Sequence, residues 1–197
     1  MIAIFDYGAG NLRSVQNTLK EIGAEYTLVD DAEGLVAAEK IVLPGVGHFG
    51  QIVRSLDAMG VREAFVDRMK AGVPFLGICL GLHALFQGSE EAPEVAGLGV
   101  FDETVVRFPA DARVPHMGWN VLEPRKECRL LKGVQEKPYV YFAHSYYVPL
   151  TGATAATTNY TCDYTTLLEQ DNIFGVQFHP EKSGPLGLKI VKNFVEL

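Results

Sequence analysis

Short apolar runs that lack polar alternation constrain this chain most. Ile2–Phe5, Tyr26–Val29, Lys40–Leu43 and Val73–Ile78 are brief, rich in branched or aromatic residues, and bounded by glycine or charged turns. Between them lie segments with helical spacing, Leu12, Val15, Leu19 and Ile22 ending at Gly23, and Val61, Phe65, Val66 and Met69 ending at Gly72. A strand without a polar face must be covered on both sides, and parallel neighbours need crossovers long enough to hold a helix. The pattern predicts an α/β fold, a mostly parallel central sheet flanked by helices.

The second half changes texture. Val100–Phe108, Tyr139–Phe142, Thr151–Thr158, Thr165–Glu169 and Ile173–Phe178 are β-rich and joined by short polar turns, which predicts additional antiparallel strands before a closing helix over Leu186–Val195. With no internal repeat or low-complexity linker, residues 1–197 are expected to form a single domain.

Charge and cysteine usage narrow the function. Lys plus Arg number 17 against 24 Asp plus Glu, a net charge of −7, so neither nucleic acid nor an anionic membrane is an expected partner. The longest apolar stretch, around Val73–Leu82, is interrupted by Pro74, Gly77 and Gly81 and falls well short of the roughly 20 residues of a membrane span. Met1–Asp6 lacks the basic start of a secretory signal. Cys79, Cys128 and Cys162 are odd in number, widely spaced and without a CxxC pair, which argues against disulfides or a metal site and for the cytoplasm. No cofactor is expected.

The sharpest local signal is Gly77-Ile78-Cys79-Leu80-Gly81, after an apolar strand and before the apolar run Leu82, Leu85, Phe86, read here as helical. This is the pattern of a nucleophile elbow with cysteine as the nucleophile. Glycines on both sides let strand and helix approach around a strained turn, and the sulfur then sits at a helix N-terminus that favours the thiolate. The Leu80 amide, following the nucleophile, points where an oxyanion would form.

A thiol nucleophile needs a base, and the base an orienter. Phe178-His179-Pro180-Glu181 can supply both, because Pro180 favours an extended residue before it and positions two apart then project to the same side. Pro44-Gly45-Val46-Gly47 follows the strand Lys40–Leu43 and should reach the same sheet edge as Cys79, where an amide of this loop can offer a second oxyanion donor.

Other arrangements compete. Asp6-Tyr7-Gly8-Ala9-Gly10-Asn11, with Asp30 and Asp31 after the second strand, partly mimics a dinucleotide fingerprint, but Arg13 stands where the third glycine belongs. Cys79 and His83, four apart, have no companion metal ligands nearby, so His83 is expected to line a pocket or to pack. His48, His116 and His144 read as hydrogen-bonded surface histidines. Val114–Asn120 reads as a loop that displays Trp119 and Met117, residue types enriched in interfaces.

Together these residues resemble the class I (triad) glutamine amidotransferases, and within them the glutaminase subunits that serve a cyclase in histidine biosynthesis. The resemblance runs end to end, through Asp6–Asn11, Pro44–Gly47, Gly77–Gly81, Ser89–Glu91, Val114–Asn120, His144–Tyr147 and Gln177–Gly184. It implies that Cys79 is the nucleophile, His179 the acid and base, and Glu181 its partner. It further implies that Gly45, Val46 and Leu80 form the oxyanion hole, and that Gly47, His83, Glu91, Ser145 and Tyr146 hold L-glutamine. Family members commonly have glutamine where this chain has His83. Asn11, Met117, Trp119, Asn120, Tyr141 and Lys182 match positions that face a (β/α)8-barrel cyclase, with which a heterodimer is implied. Two alternatives use the same residues differently, a stand-alone cysteine hydrolase of γ-glutamyl amides and a dinucleotide-binding module.

Overall fold

The computed structural model describes residues 1–134 and 138–197. The chain opens with β1 (Ile2–Phe5), α1 (Leu12–Glu21), β2 (Tyr26–Val29), α2 (Ala32–Ala37), β3 (Lys40–Gly45), α3 (Phe49–Ala58), α4 (Arg62–Lys70) and β4 (Phe75–Cys79). A single helical turn, α5 (Leu80–His83), leads to β5 (Phe86–Ser89), β6 (Phe101–Arg107), β7 (His116–Val121) and β8 (Glu123–Pro124). The remainder is β9 (Tyr139–His144), β10 (Tyr146–Tyr147), β11 (Thr154–Tyr160), β12 (Cys162–Gln170), β13 (Ile173–Val176) and α6 (Gly184–Val195).

The main sheet has the order β2-β1-β3-β4-β13-β12-β11-β8. Neighbours from β2 through β13 are parallel, and the contacts of β12 with β13, β11 with β12 and β8 with β11 are antiparallel. β5, β6 and β10 form a small second sheet, and β7 pairs with β9 as an antiparallel ribbon.

Alternation along β1 explains why both sheet faces need cover. Ala3 and Phe5 join one core with α3 and α4, whereas Ile2 and Ile4 join the other with α1 and α6. Phe5 meets Phe65 edge-on at 4.8 Å between centroids, and Phe65 meets Phe75 at 6.1 Å. Removing one such ring typically costs 3–5 kcal/mol. α1 buries Val15 and Leu19 and ends before Gly23, which takes a φ of 73°.

Four expectations require correction. The run after the elbow is one turn of helix and then β5, because Phe86 pairs with Phe101 of β6 instead of continuing α5. β13, expected among the antiparallel additions, lies parallel to β4; only its other neighbour, β12, is antiparallel. Val114–Asn120 is largely strand, since His116–Val121 pairs residue by residue with Tyr139–His144. His116 and His144 are buried, not surface, because the two strands turn these side chains toward one core. Helices α2 and α3 add to the elements expected; α3 carries the spacing Phe49, Ile52, Val53, Leu56 and buries all four. Among the described residues, no helix is long and apolar enough to cross a membrane.

Candidate active site

Three adjacent strand ends build the site. Gly45 of β3 lies opposite Cys79, the last residue of β4, and Ile78 lies opposite Val176 of β13. Parallel neighbours end at the same edge, so the elbow, the Pro44–Gly47 loop and the Gln177–Glu181 segment meet although they are far apart in sequence. A cleft of about 180 Å³ opens there, lined by Val46, Gly47, Cys79, Leu80, His83, Glu91, Pro115, Ala143, His144, Ser145, Tyr146 and His179.

Cys79 has φ 53° and ψ −103°, a strained conformation for a residue with a side chain. Its neighbours enforce it. A Cβ on Gly77 would stand 2.6 Å from the Gly81 carbonyl oxygen, and a Cβ on Gly81 would overlap the Leu43 carbonyl oxygen of β3. Only glycine permits α5 to sit this tightly on β3 and β4, and that contact lifts the sulfur to the sheet edge. As the first residue of a helical turn, Leu80 has an amide with no intrahelical acceptor.

His179 is buried, and its Nδ1 lies 2.9 Å from Glu181 Oε1, whose side chain is equally enclosed. The short turn over Pro180–Lys182 holds that geometry, with Ser183 Oγ donating to the His179 carbonyl at 2.7 Å. Burial alone would lower the imidazole pKa. Hydrogen bonds to Cys79 and Glu181, and the charges of both, outweigh burial and raise it to about 10. The ring therefore favours the imidazolium, held between a sulfur and a carboxylate. Such a line can support nucleophilic attack by sulfur with proton donation from imidazole.

The oxyanion candidates divide. Val46 lines the cleft, but its N–H points to the Tyr7 hydroxyl at 3.3 Å, and that hydroxyl lies 3.4 Å from the Val46 carbonyl. Gly45 pairs with Cys79 and does not line the cleft, whereas Leu80 lines it and opens the helical turn, where its amide has no intrahelical acceptor. Burial pushes the Tyr7 pKa up to about 12, against the hydrogen bond to Val46, so the phenol stays protonated at neutral pH.

Of the expected substrate residues, Gly47, His83, Glu91, Ser145 and Tyr146 all line the cleft. Glu91 Oε2 accepts the Phe49 amide at the start of α3 at 2.7 Å, which anchors the carboxylate. His83 Nε2 lies 2.7 Å from Gln177 Oε1, and burial lowers its pKa to about 4 despite that bond.

The expected partner residues gather on the β7–β9 ribbon and beside it. Met117 and Trp119 are 64% and 56% exposed, a large apolar display for a strand. Trp119 faces Tyr141 across the ribbon at 6.1 Å between centroids, and Lys182 Nζ lies 5.7 Å from the centre of the Tyr141 ring. Asn120 donates to the Asn159 carbonyl at 3.1 Å, and Asn11 accepts from Ser14 at the head of α1. Tyr139, equally exposed and two residues from Tyr141, extends the same face and escaped the sequence reading; strand alternation alone would have found it. Tyr7 and Gln177 also escaped, both inside quoted motifs but without a stated role.

The dinucleotide alternative loses its residues to local structure. Asp6 accepts the Gly8 amide at 2.8 Å, Asp31 caps α2 through the Gly34 amide at 2.8 Å, and Tyr7 turns inward to the loop at Val46.

Comparison with known proteins agrees with this geometry. The model of the family described as "Glutamine amidotransferase class-I" matches residues 3–197. An imidazole glycerol phosphate synthase subunit HisH from Methanothermobacter thermautotrophicus is 47% identical over 198 residues, covering 100% of this chain and 98% of that one. The subunit of the same name from Desulfitobacterium hafniense is 45% identical over 196 residues, covering 98% and 93%. A crystallographic glutamine amidotransferase superposes with a TM-score of 0.79 at 22% identity, covering 99% of this chain and 97% of the other, a likeness of fold. With the family match spanning nearly the whole chain and an elbow cysteine beside a buried histidine–glutamate pair, this chain belongs to the class-I glutamine amidotransferase family.

Proposed function

We propose that this chain is the glutaminase subunit of an imidazole glycerol phosphate synthase, acting in the cytoplasm as a single catalytic domain and docked as a heterodimer on a (β/α)8-barrel cyclase. It hydrolyses L-glutamine and passes the ammonia to the cyclase, which forms imidazole glycerol phosphate and an aminoimidazole carboxamide ribotide. The observation that carries the proposal is the meeting of Cys79 and His179 in the cleft, with buried Glu181 behind the imidazole, in a chain 47% identical to a subunit of that name.

The chemistry follows from the line. Cys79 thiolate attacks the side-chain carboxamide carbon of glutamine, a C–S bond forms, and the carbonyl electron pair moves onto oxygen beside the Leu80 amide. Protonated His179 gives its proton to the amide nitrogen as the C–N bond breaks, and ammonia leaves a γ-glutamyl thioester. Neutral His179 then takes a proton from water, whose oxygen attacks the thioester, and glutamate departs as the thiolate returns. Glu181 fixes Nδ1, so that Nε2 serves the sulfur and the water. Glu91 suits the substrate ammonium, while Gly47 and the backbone near Ser145 and Tyr146 suit its carboxylate.

The bond from Val46 to Tyr7 supports a dependence on the partner. With that amide engaged, the oxyanion meets one donor; docking of the cyclase with its phosphorylated ligand turns the Val46 peptide into the cleft and adds the second. Gly47, at φ 106°, lets the loop turn without steric cost. The test is glutamine hydrolysis by the purified pair with cyclase and ligand omitted in turn. Hydrolysis should rise at least tenfold on assembly, and equal rates would overturn the partner dependence. Cys79→Ala should abolish glutamine-supported synthesis and preserve synthesis from added ammonia; loss of both would make Cys79 structural.

A further inference from the structure

Gln177 is a buried amide beside a reactive sulfur, and no step above uses it. The pairing of Val176 with Ile78 brings it next to Cys79, and its backbone amide is pinned to the Thr166 carbonyl at 2.9 Å. Its Nε2 lies 3.7 Å from Cys79 Sγ, and its Oε1 lies 2.7 Å from His83 Nε2, with Gln177 fully enclosed and His83 4% exposed. We propose that His83 and Gln177 form a positioning pair that holds a second hydrogen bond on the Cys79 sulfur, in addition to that of His179. This rests on Cys79 being the nucleophile.

The chemistry of each atom fixes the direction of the chain. A thiolate only accepts hydrogen bonds, so a carbonyl oxygen turned toward it would be repelled, whereas an amide N–H is attracted. Gln177 must therefore present its NH2 to the sulfur, which leaves Oε1 pointing into the core. A buried carbonyl oxygen without a donor is costly, and His83 meets that need only in the tautomer with hydrogen on Nε2. His83 thus locks the amide orientation, and the amide favours the sulfur's ionised form. Without the Nε2 donor, the amide can turn over and offer oxygen to the thiolate. A glutamine at position 83, the residue common in the family, retains an N–H donor, so the device does not require imidazole.

The rival reading is two buried polar groups that only satisfy each other, with no influence on sulfur. Site-resolved alkylation separates the two. The intact chain and three variants are treated with iodoacetamide from pH 5 to 9, and modification of the Cys79 peptide is followed by mass spectrometry, apart from Cys128 and Cys162. The other groups that face the sulfur or the cleft, His179 with Glu181 behind it, Tyr7, His144 and Glu91, remain in every variant. Gln177→Leu and His83→Ala should move the alkylation profile upward by about one pH unit, slowing labelling roughly tenfold on its acid limb. His83→Gln should stay within about twofold of the parent. Unchanged profiles in Gln177→Leu and His83→Ala, or His83→Gln behaving as His83→Ala, would overturn the pair. Should Gln177→Leu lose its near-ultraviolet dichroism, the two His83 variants decide alone. The nucleophile assignment fails separately, if Cys79→Ala sustains glutamine-supported synthesis.

Discussion

The elbow and the β7–β9 ribbon face the same cleft and are held in place by different means. At the elbow, backbone packs on backbone: α5 rests against β3 with no room for one methyl group at Gly81, and the strain at Cys79 is fixed by hard contact. The ribbon is held by rings and polar atoms. His116 stacks between Tyr160 and Phe142 at centroid distances of 3.9 and 4.8 Å, and His116 Nδ1, His144 Nε2 and the Tyr164 hydroxyl form a triangle with 3.3 Å sides. His144 donates through Nδ1 to the Tyr146 carbonyl at 2.8 Å, so the triangle continues into the cleft wall. Hard contact suits an atom whose position must not vary, whereas a soft polar cluster suits a surface that receives a partner.

That difference can be broken at its strongest point. Gly81→Ala should destabilise the chain by more than about 4 kcal/mol, because neither strand nor turn can retreat from the added carbon. Denaturant titration would show it, and a loss below 1 kcal/mol would mean that α5 is free to shift. Gly118→Ala on the ribbon, where none of the described residues comes within 4 Å of the added carbon, is the matched control, strained by its φ of 132°.

Acid and alkali should distinguish the two regions by opposite signs. Burial lowers the pKa of His116 to about 4 and that of His144 well below its ordinary 6.5, the latter against its bond to Tyr146. An unfolded chain binds these protons first as pH falls, so the stability that these histidines contribute is complete above 6.5 and declines on acidification toward 4. For His116 alone the loss should reach about 2 kcal/mol by pH 5, and His144 adds to it in the same direction. At the elbow, His179 is raised to about 10, so its contribution is full below 6.5 and is lost as pH rises through 10. Amide exchange across pH should show β7 and β9 opening first in acid; uniform opening would erase the distinction.

The smallest expected effect sharpens the contrast from outside. Trp119→Ala should weaken cyclase binding by about 2 kcal/mol, roughly thirtyfold, without altering Cys79 alkylation in the isolated chain. Changed alkylation would mean that ribbon and elbow are one unit after all.

The parallel half was legible because its signals are local. Apolar runs without alternation mark strands buried on both faces, and the glycines around Cys79 mark the elbow. His-Pro-Glu pointed to the pairing of His179 with Glu181, but the two meet through a tight 3-10 turn over Pro180–Lys182 and not through the extended segment that the two-residue spacing assumed. Only β7 departs from the reading, a loop on the sequence because Pro-His-Met-Gly-Trp-Asn mixes turn residues with exposed apolar ones, and its strand character comes from pairing with residues 139–144. Burial of His116 and His144 was equally hidden, since Tyr160 and Tyr164 from distant strands join Phe142 in enclosing them. Tyr7 on Val46 and Gln177 on Cys79 are contacts between distant segments, which no periodicity announces.

The place of β13 has a consequence for biosynthesis. This strand carries the segment that ends in His179, yet it is wedged between β4 and β12 in the middle of the main sheet. While the polypeptide is being made, β1 through β4 can assemble early with one flank bare, and nothing translated before residue 173 can seal it with the native neighbour. Reactivity and a closed sheet therefore arrive together, on one late segment, and a chain cut short there exposes a sticky margin instead of a half-working enzyme.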